Sequence, residues 1–283
     1  MRFITSIKKM QELSERLRKE GKVISFVPTM GYLHHGHLSL MEEGKKRGDV
    51  LVISIFVNPT QFGMGEDYAV YPRDLERDKR LAESVGVDII FAPTEAEMYP
   101  KAYQTFVQVE EVTKNLCGVS RPTHFRGVTT VVAKLFNIVK PQVAIFGEKD
   151  FQQLVTIRQM VRDLNYEIEI VGMPTYREDD GLAMSSRNTY LNPEERKAAL
   201  SLYRSLKRAS ELLNLGEKRA ERIIQEVSKI MEAEELIKVD YIKICDSENL
   251  KDLITVDREA IVAIAAKVGK TRLIDNLVLK PSH

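Results

Sequence analysis

Four short stretches of this chain carry residue types and spacings that can do chemistry. The first is "PTMGYLHHGH", residues 28–37. The chain has five histidines, and His34, His35 and His37 all fall here, while His124 and His283 stand apart. The stretch follows a β-branched apolar run and contains Gly31 and Gly36, so it reads as a strand-to-helix turn. If a helix begins near Gly36, His34 and His37 lie around its first turn. Backbone N–H groups there lack intrahelical acceptors and the helix dipole is positive. Imidazole N–H groups added to that make an anion site suited to phosphates. Two other readings stay open on these residues alone. One is a solvated turn that happens to carry histidines. The other is a zinc site, which no H-E-x-x-H and no nearby cysteine pair supports.

The second stretch is "SIFVNPTQFG", residues 54–63. A strand ends at Asn58-Pro59, and Gln61 offers both a donor and an acceptor, which suits a hydroxyl or a carboxylate. Taken alone, it is better read as an ordinary turn. In the third, "FGEKDFQQ" (146–153), a charged triplet follows a buried strand and opens a helix. Lys149 can neutralise phosphate charge there, Asp150 can cap the helix or hold a ribose hydroxyl, and Gln153 is one turn in. Capping by Asp150 beside a solvated lysine explains the same residues. The fourth is "REDDGLAMSSRN", residues 177–188. Its serines and Arg187 suit a phosphate group. Its position also suits a linker between domains, and a linker beside a site can serve as a lid. Finally, Leu75, Asp78, Ala82 and Val85 share one helical face, so Asp78 is either a buried cap or a site-facing carboxylate.

These stretches need elements to hold them. Ile7, Met10, Leu13 and Leu17 recur at helical spacing between Ser6 and Gly21. "KVISFVP", "VLVISIFVN", "VDIIFAP", "PQVAIFG" and "EIEIVGMP" read as strands, several with the unbroken apolar character of strands buried on both faces. Helical patterns lie between them, at "LSLMEEGKKRG", at about 74–85 and at "FQQLVTIRQMVRDL". Such alternation predicts a Rossmann-like parallel sheet with right-handed crossovers, whose ligands sit outside the C-terminal strand ends. After residue 173 the texture changes. A helix capped by Asn192 with Pro193 at its first position is followed by a second amphipathic helix near 217–231. Three strand-like runs then follow, the last two close enough to form a hairpin across Gly269-Lys270. The expected organisation is an α/β domain over 1–173 and a smaller α+β domain with a short antiparallel sheet over 174–283.

A chain of 283 residues can bury a full core, and 43% hydrophobic with 29% charged residues fits a globular protein. A net charge of +1 gives no overall basic footprint for nucleic acid. Cys117 and Cys245 have no zinc-type spacing and read as buried thiols in a reduced compartment. The first residues lack the apolar segment of a secretory signal, and no run reaches membrane-span length. The expectation is a cytoplasmic enzyme or binding protein with no nucleic-acid or membrane partner.

"HHGH" resembles the H-x-G-H signature of the nucleotidyltransferase superfamily. Together, "VPTMGYLHHGH", "SIFVNPTQFG", "RPTHFRGV", "FGEKDFQQL" and "DGLAMSSRN", in this order and spacing, closely resemble the pantothenate synthetase (pantoate–β-alanine ligase) family. The resemblance is strong to about residue 195 and looser beyond. It implies an AMP-forming ligation in two steps: ATP and pantoate give pantoyl adenylate and pyrophosphate, then β-alanine displaces AMP. By the same resemblance, His34 and His37 contact ATP phosphates with His37 as proton donor, and Lys149 joins them as a catalytic residue. Met30, Gly31, Gly147, Asp150, Met184, Ser185, Ser186 and Arg187 complete the ATP set. Pro28, Met30, Asn58, Gln61 and Gln153 serve pantoate and β-alanine. The last ATP stretch departs from the K-M-S-K-S form of the synthetases, with Ala183 in place of the first lysine and Ser186-Arg187 in place of Lys-Ser. Mg²⁺ is implied with ATP, held mainly by phosphates and water. A homodimer through the N-terminal domains is also implied. Two other readings compete with this one. A nucleotidyltransferase acting on a phosphorylated acceptor fits the glutamine pair poorly, since glutamines suit a small polyol carboxylate better than a phosphate dianion. A nucleotide sensor or RNA-binding relative fits poorly with the near-neutral charge and with the retained histidines, Lys149 and Arg187.

Overall fold

The computed structural model describes residues 1–281, so His283 lies outside the described residues. Six strands form one parallel sheet: β1 (Arg2–Ile4), β2 (Ile24–Thr29), β3 (Val50–Ile55), β4 (Ile89–Phe91), β5 (Val143–Gly147) and β6 (Glu169–Met173). Their order is β1-β4-β3-β2-β5-β6. The helices of this part are α1 (Ile7–Lys19), α2 (His35–Arg47), α3 (Leu75–Ser84), α4 (Glu95–Met98), α5 (Cys117–Ser120), α6 (His124–Val139) and α7 (Phe151–Asp163). Central strands are apolar because both faces are covered: Phe26, Val27, Leu51, Val52 and Ile53 are fully buried. The strand order turns at β2, which has β3 on one side and β5 on the other. All the pairings are parallel, so the chain leaves β2, β3 and β5 at the same edge. A topological switch point of this kind is where open α/β sheets bind ligands.

Local chemistry explains the element ends. The Ser6 hydroxyl accepts from the Lys9 N–H at the start of α1, and the last turn carries Arg16, Arg18 and Lys19 against the negative dipole end. Helix α2 ends in Lys45, Lys46 and Arg47 before Gly48, as its pattern predicts. Four elements of this part were not read from sequence: β1, the single-turn helices α4 and α5, and α6. The α6 segment is mostly buried and rich in valine and threonine, residues that favour strands, and its polar face is narrow, marked by Arg126, Lys134 and Asn137.

The remaining elements are α8 (Pro193–Asn214), α9 (Ala220–Glu232), β7 (Ile237–Asp246), β8 (Ala260–Val268) and β9 (Thr271–Leu279), with the strands in an antiparallel sheet ordered β7-β8-β9. Asn192 and Glu195 cap α8 reciprocally: the Glu195 N–H donates to Asn192 Oδ1 at 2.8 Å and the Asn192 N–H to Glu195 Oε2 at 3.0 Å. The expected hairpin is present, with Val268 opposite Thr271 and Gly269 at φ 56° in the turn. Leu202, Leu206, Ile223, Val227, Val262 and Ile264 form the core between helices and sheet.

The chain divides into two compact units. The first holds Met1–Glu110, Arg121–Glu148 and Thr156–Pro174; the second holds Glu111–Ser120, Lys149–Val155 and the chain from Thr175 onward. This differs from a single cut after residue 173, because two inner segments group with the later chain. Hydrogen bonds account for it: Asn115 Nδ2 donates to the Leu250 carbonyl at 2.9 Å and Asn276 Nδ2 to the Lys149 carbonyl at 2.8 Å, and Gln152 ties the two inner segments to each other. Gln152 Nε2 donates to the Val112 and Asn115 carbonyls at 3.0 and 2.7 Å, and its Oε1 accepts from the Cys117 N–H at 3.0 Å. Lys149, Asp150 and Gln153 therefore belong to the second unit.

Candidate functional site

In the first unit the site begins where β2 ends. The Thr29 hydroxyl donates to the Ser54 carbonyl at 2.7 Å and accepts from the Gly31 N–H at 3.1 Å, which starts a tight turn. Gly31 and Tyr32 both take left-handed backbone angles, φ 81° and 50°. Glycine is required at the first, where a Cβ would stand 2.9 Å from Asp78 Oδ2 and from Ile55 Cγ2. Tyr32 has no such freedom, and Asp78 supports it. Asp78 Oδ2 accepts from the Tyr32 N–H at 2.8 Å and Oδ1 from the Leu33 N–H at 2.7 Å. Beside it, Arg77 Nη1 donates to the Leu33 carbonyl at 2.8 Å, and its guanidinium lies 5.0 Å from the Tyr32 ring centre. The first turn of α3 thus grips the loop ahead of the histidines. Asp78, whose role the sequence left open, is this buried clamp, 1% exposed. Burial pushes its carboxyl above the ordinary value of 3.8, while the two N–H bonds pull the other way.

The clamp leads directly into the histidine pair. His34 is the extended N-cap of α2, and the His34 and His37 rings lie 4.0 Å apart between centres. The His34 N–H donates to His37 Nδ1 at 3.3 Å. Nδ1 must then be unprotonated, so the neutral His37 ring carries its proton on Nε2 and offers a donor there. Both rings are half-buried, whereas His35 is exposed. Among the described residues, no group of three His, Cys, Asp or Glu side chains is placed to hold a metal ion.

The second loop of the first unit is fixed from below. Asn58, 1% exposed, accepts at Oδ1 from the Tyr99 hydroxyl (2.7 Å) and the Thr60 hydroxyl (3.0 Å). Burial pushes the Tyr99 phenol up to about 12, so it stays a donor. With Oδ1 occupied, Asn58 Nδ2 faces the Gly127 carbonyl (3.1 Å) and Gln61 Oε1 (3.0 Å). Gln61 then has one orientation, with Nε2 at 3.1 Å from Met30 Sδ. Its backbone carbonyl accepts from Arg121 Nη2 at 3.2 Å and lies 2.9 Å from His124 Nδ1. Arg121 is itself held by Glu66, Nε to Oε1 at 2.7 Å. Gly127 lets α6 approach, since a Cβ there would collide with the Thr60 carbonyl and stand 2.6 Å from the Gln61 nitrogen. The "RPTHFRG" motif therefore serves as the platform under Gln61. Pro28 sits in β2 opposite Ser54, and Gly147 ends β5 with open space where its side chain would be.

In the second unit, Lys149 Nζ lies 3.6 Å from Asp150 Oδ1 in the turn before α7. Gln153 is half-buried in the first turn of that helix, while its neighbour Gln152 is engaged in the backbone bonds above. Residues 177–188 are not a slack linker. Arg177 and Ala183 form a bridge, the Glu178 N–H donates to Leu182 O at 2.9 Å and the Met184 N–H to Tyr176 O at 3.0 Å. Arg196 grips Glu178 and Asp180, at 2.6 and 2.7 Å. Ser185 caps the short 3-10 turn Ser186–Tyr190 by accepting from the Arg187 N–H at 3.3 Å. The unit thereby holds half-buried Met184 at the end of a braced hairpin, with half-buried Ser185 and Arg187 and buried Ser186 in the turn that follows. Tyr99, Arg121, His124 and Gly127 were not named as supports from the sequence. The only signal for three of them was the quoted "RPTHFRGV".

Known proteins match this chain over nearly all of its length. The family model for pantoate-beta-alanine ligase matches residues 2–278. The pantothenate synthetase of Syntrophus aciditrophicus is 61% identical over 98% of this chain and 97% of its own length. That of Heliobacterium modesticaldum is 56% identical over 99% and 100%. Among solved structures, pantothenate synthetase from Thermus thermophilus superposes with a TM-score of 0.95 at 46% identity, covering 99% of this chain and 100% of that one. The Francisella tularensis pantoate-beta-alanine ligase, solved with beta-gamma ATP and beta-alanine, gives a TM-score of 0.82 at 35% identity, covering 98% and 97%. A match of this extent, over a parallel sheet whose switch-point loops carry the paired histidines and the Gln61 platform, makes the chain a member of the pantoate–β-alanine ligase family, enzymes that join an acid to an amine through a C–N bond.

Proposed function

We propose that the protein condenses pantoate with β-alanine through a pantoyl adenylate, consuming ATP and releasing pyrophosphate and AMP. One observation carries the reading: a single clamped loop, residues 30–37, bears both the Met30 contact to Gln61 and the His34–His37 pair. Recognition of a small hydroxy acid and of phosphate on one rigid segment is what carboxylate attack on a phosphorus atom needs, because positioning supplies much of such a rate. Gln61 and Gln153, with Pro28, Met30 and Asn58, hold pantoate. A pantoate carboxylate oxygen attacks the α-phosphorus and the bond to pyrophosphate breaks. His37 donates from Nε2 and His34 assists on the phosphates. Lys149 and Arg187 offset their charge, with Gly31, Gly147, Met184, Ser185 and Ser186 about the nucleotide and Asp150 on the ribose. The β-alanine amine then attacks the acyl carbon, the C–N bond forms, and AMP leaves with the former carboxylate oxygen while the amine loses its proton. With no protein cage for a metal among the described residues, Mg²⁺ fits as the counter-ion that ATP brings, lowering phosphate charge. A homodimer through the first unit and a cytoplasmic location belong to the same proposal.

The test is a two-stage product assay. ATP and pantoate alone are expected to release pyrophosphate in an amount matching the enzyme, and steady AMP production is expected only once β-alanine is added. Absence of any pyrophosphate or adenylate from ATP and pantoate would contradict the proposal.

A further inference from the structure

The strand β9 contains two adjacent polar residues, Asp275 and Asn276, in "LIDNLVL". Successive strand residues point to opposite faces, so one of such a pair is ordinarily solvated. Here both are buried, 3% and 8% exposed, and they pair across the sheet with Ile264 and Ala263. Buried polar side chains in apolar surroundings persist where they are bonded, so their partners state their use. The Asp275 carboxylate accepts two parallel bonds from Arg177, at 2.7 and 3.0 Å. Arg177 in turn donates to the Gly181 carbonyl at 3.2 Å and lies 4.1 Å over the Tyr203 ring. That is the base of the hairpin bearing Met184, Ser185, Ser186 and Arg187. Asn276 Nδ2 donates to the Lys149 carbonyl at 2.8 Å. The two anchors are also joined, since Asp275 Oδ1 accepts from the Asn276 N–H at 2.8 Å.

We infer that Asp275 and Asn276 are positioning residues for ATP: one dipeptide of the last strand fixes the backbone of Lys149 and the root of the Arg187 hairpin in a common frame. The inference rests on the proposed assignment of those two segments to ATP. All of its bonds lie within the second unit. A bidentate arginine pair and a backbone-directed amide are both orientation-specific, which suits setting a geometry rather than filling a core. The two segments are far apart in sequence, and β9 ties them together.

The test is Asn276→Asp, nearly the same shape but unable to donate to the Lys149 carbonyl, with Asn276→Ala as a second variant should the first fail to fold. Leu273→Ala serves as the comparison: Leu273 is buried in the same strand and bonds to neither segment. For Asn276→Asp the KM for ATP is expected to rise about tenfold, the worth of one such hydrogen bond, while the KM values for pantoate and β-alanine stay within about twofold. Leu273→Ala is expected to lower the Tm without raising the KM for ATP. The inference is overturned if Asn276→Asp and Asn276→Ala keep the wild-type KM for ATP. It is equally overturned if Leu273→Ala, at equal loss of Tm, raises that KM as much. Wild-type protein that makes no pantothenate at all would instead overturn the functional reading beneath it.

Discussion

His37→Ala is expected to slow pyrophosphate release from ATP and pantoate by about 10²–10³-fold, the usual loss when one donor to transition-state charge is removed. The ring stands at the start of α2 with its Nδ1 engaged by the His34 N–H, so its Nε2 proton is the one available for a substrate. Alanine deletes that proton and also the acceptor that orders His34. His37→Gln retains an N–H donor of similar reach and is expected to recover part of the rate. If the residue acts on phosphates, as proposed, supplied pantoyl adenylate should still react with β-alanine with a smaller loss than the first step shows. Rapid-quench measurement of both half-reactions checks this. Equal rates for His37→Ala and wild type in the first step would remove His37 from the chemistry.

The second large effect is expected at Asp78, which touches no proposed substrate. Asp78→Ala leaves the Tyr32 and Leu33 N–H groups without their acceptor. Each lost buried bond of this kind costs about 1–3 kcal/mol, so destabilisation of roughly 2–6 kcal/mol is expected by denaturant unfolding. The left-handed turn at Gly31-Tyr32 loses its support as well, so activity should fall together with the order of the histidine pair. Asp78→Asn keeps one acceptor but turns an NH₂ toward the second N–H, and should lie between. The pH dependence has a definite sign. Burial raises this carboxyl above 3.8, so the folded chain binds its proton more tightly than the unfolded chain does. Its contribution to stability therefore declines as pH rises from the unfolded value through the folded one, the reverse of a salt-bridged aspartate. Asp78→Asn should abolish that decline. An aspartate kept where ionisation opposes burial is kept for the geometry it imposes. Unfolding curves for Asp78→Ala that overlay those of wild type would refute the clamp.

Much of this was legible from residues near one another in the chain. The ends of α1 and α2, the capped α8 and the β8–β9 hairpin follow from caps, periodicity and turn residues a few positions apart. Helix α6 was not read, although Arg126, Lys134 and Asn137 mark a narrow polar face, because its run of valine and threonine favours a strand locally. At the site, His34, His37 and Gln61 stood out by type and spacing. Their supports did not, because they act through long-range bonds, most of them to backbone atoms. Asp78 reaches Tyr32 across 46 positions, and Asn276 reaches Lys149 across 127. Nothing local marks a carboxylate or amide for such a partner. Asp78 was conspicuous only as a charge on an apolar face, and Asp275-Asn276 looked like part of a strand. The linker reading of 177–188 failed for a similar reason: the hairpin is built by Arg177 and Arg196, whose partners lie outside any short window.

Oxygen transfer separates an acyl-adenylate route from every alternative in which ATP activates something other than the acid. Pantoate labelled with ¹⁸O in its carboxylate should be supplied with ATP and β-alanine, and the AMP examined by mass spectrometry. If the carboxylate attacks the α-phosphorus and the amine then displaces AMP, each AMP carries one oxygen from pantoate, and the pyrophosphate carries none. Unlabelled AMP formed alongside pantothenate would contradict a pantoyl adenylate.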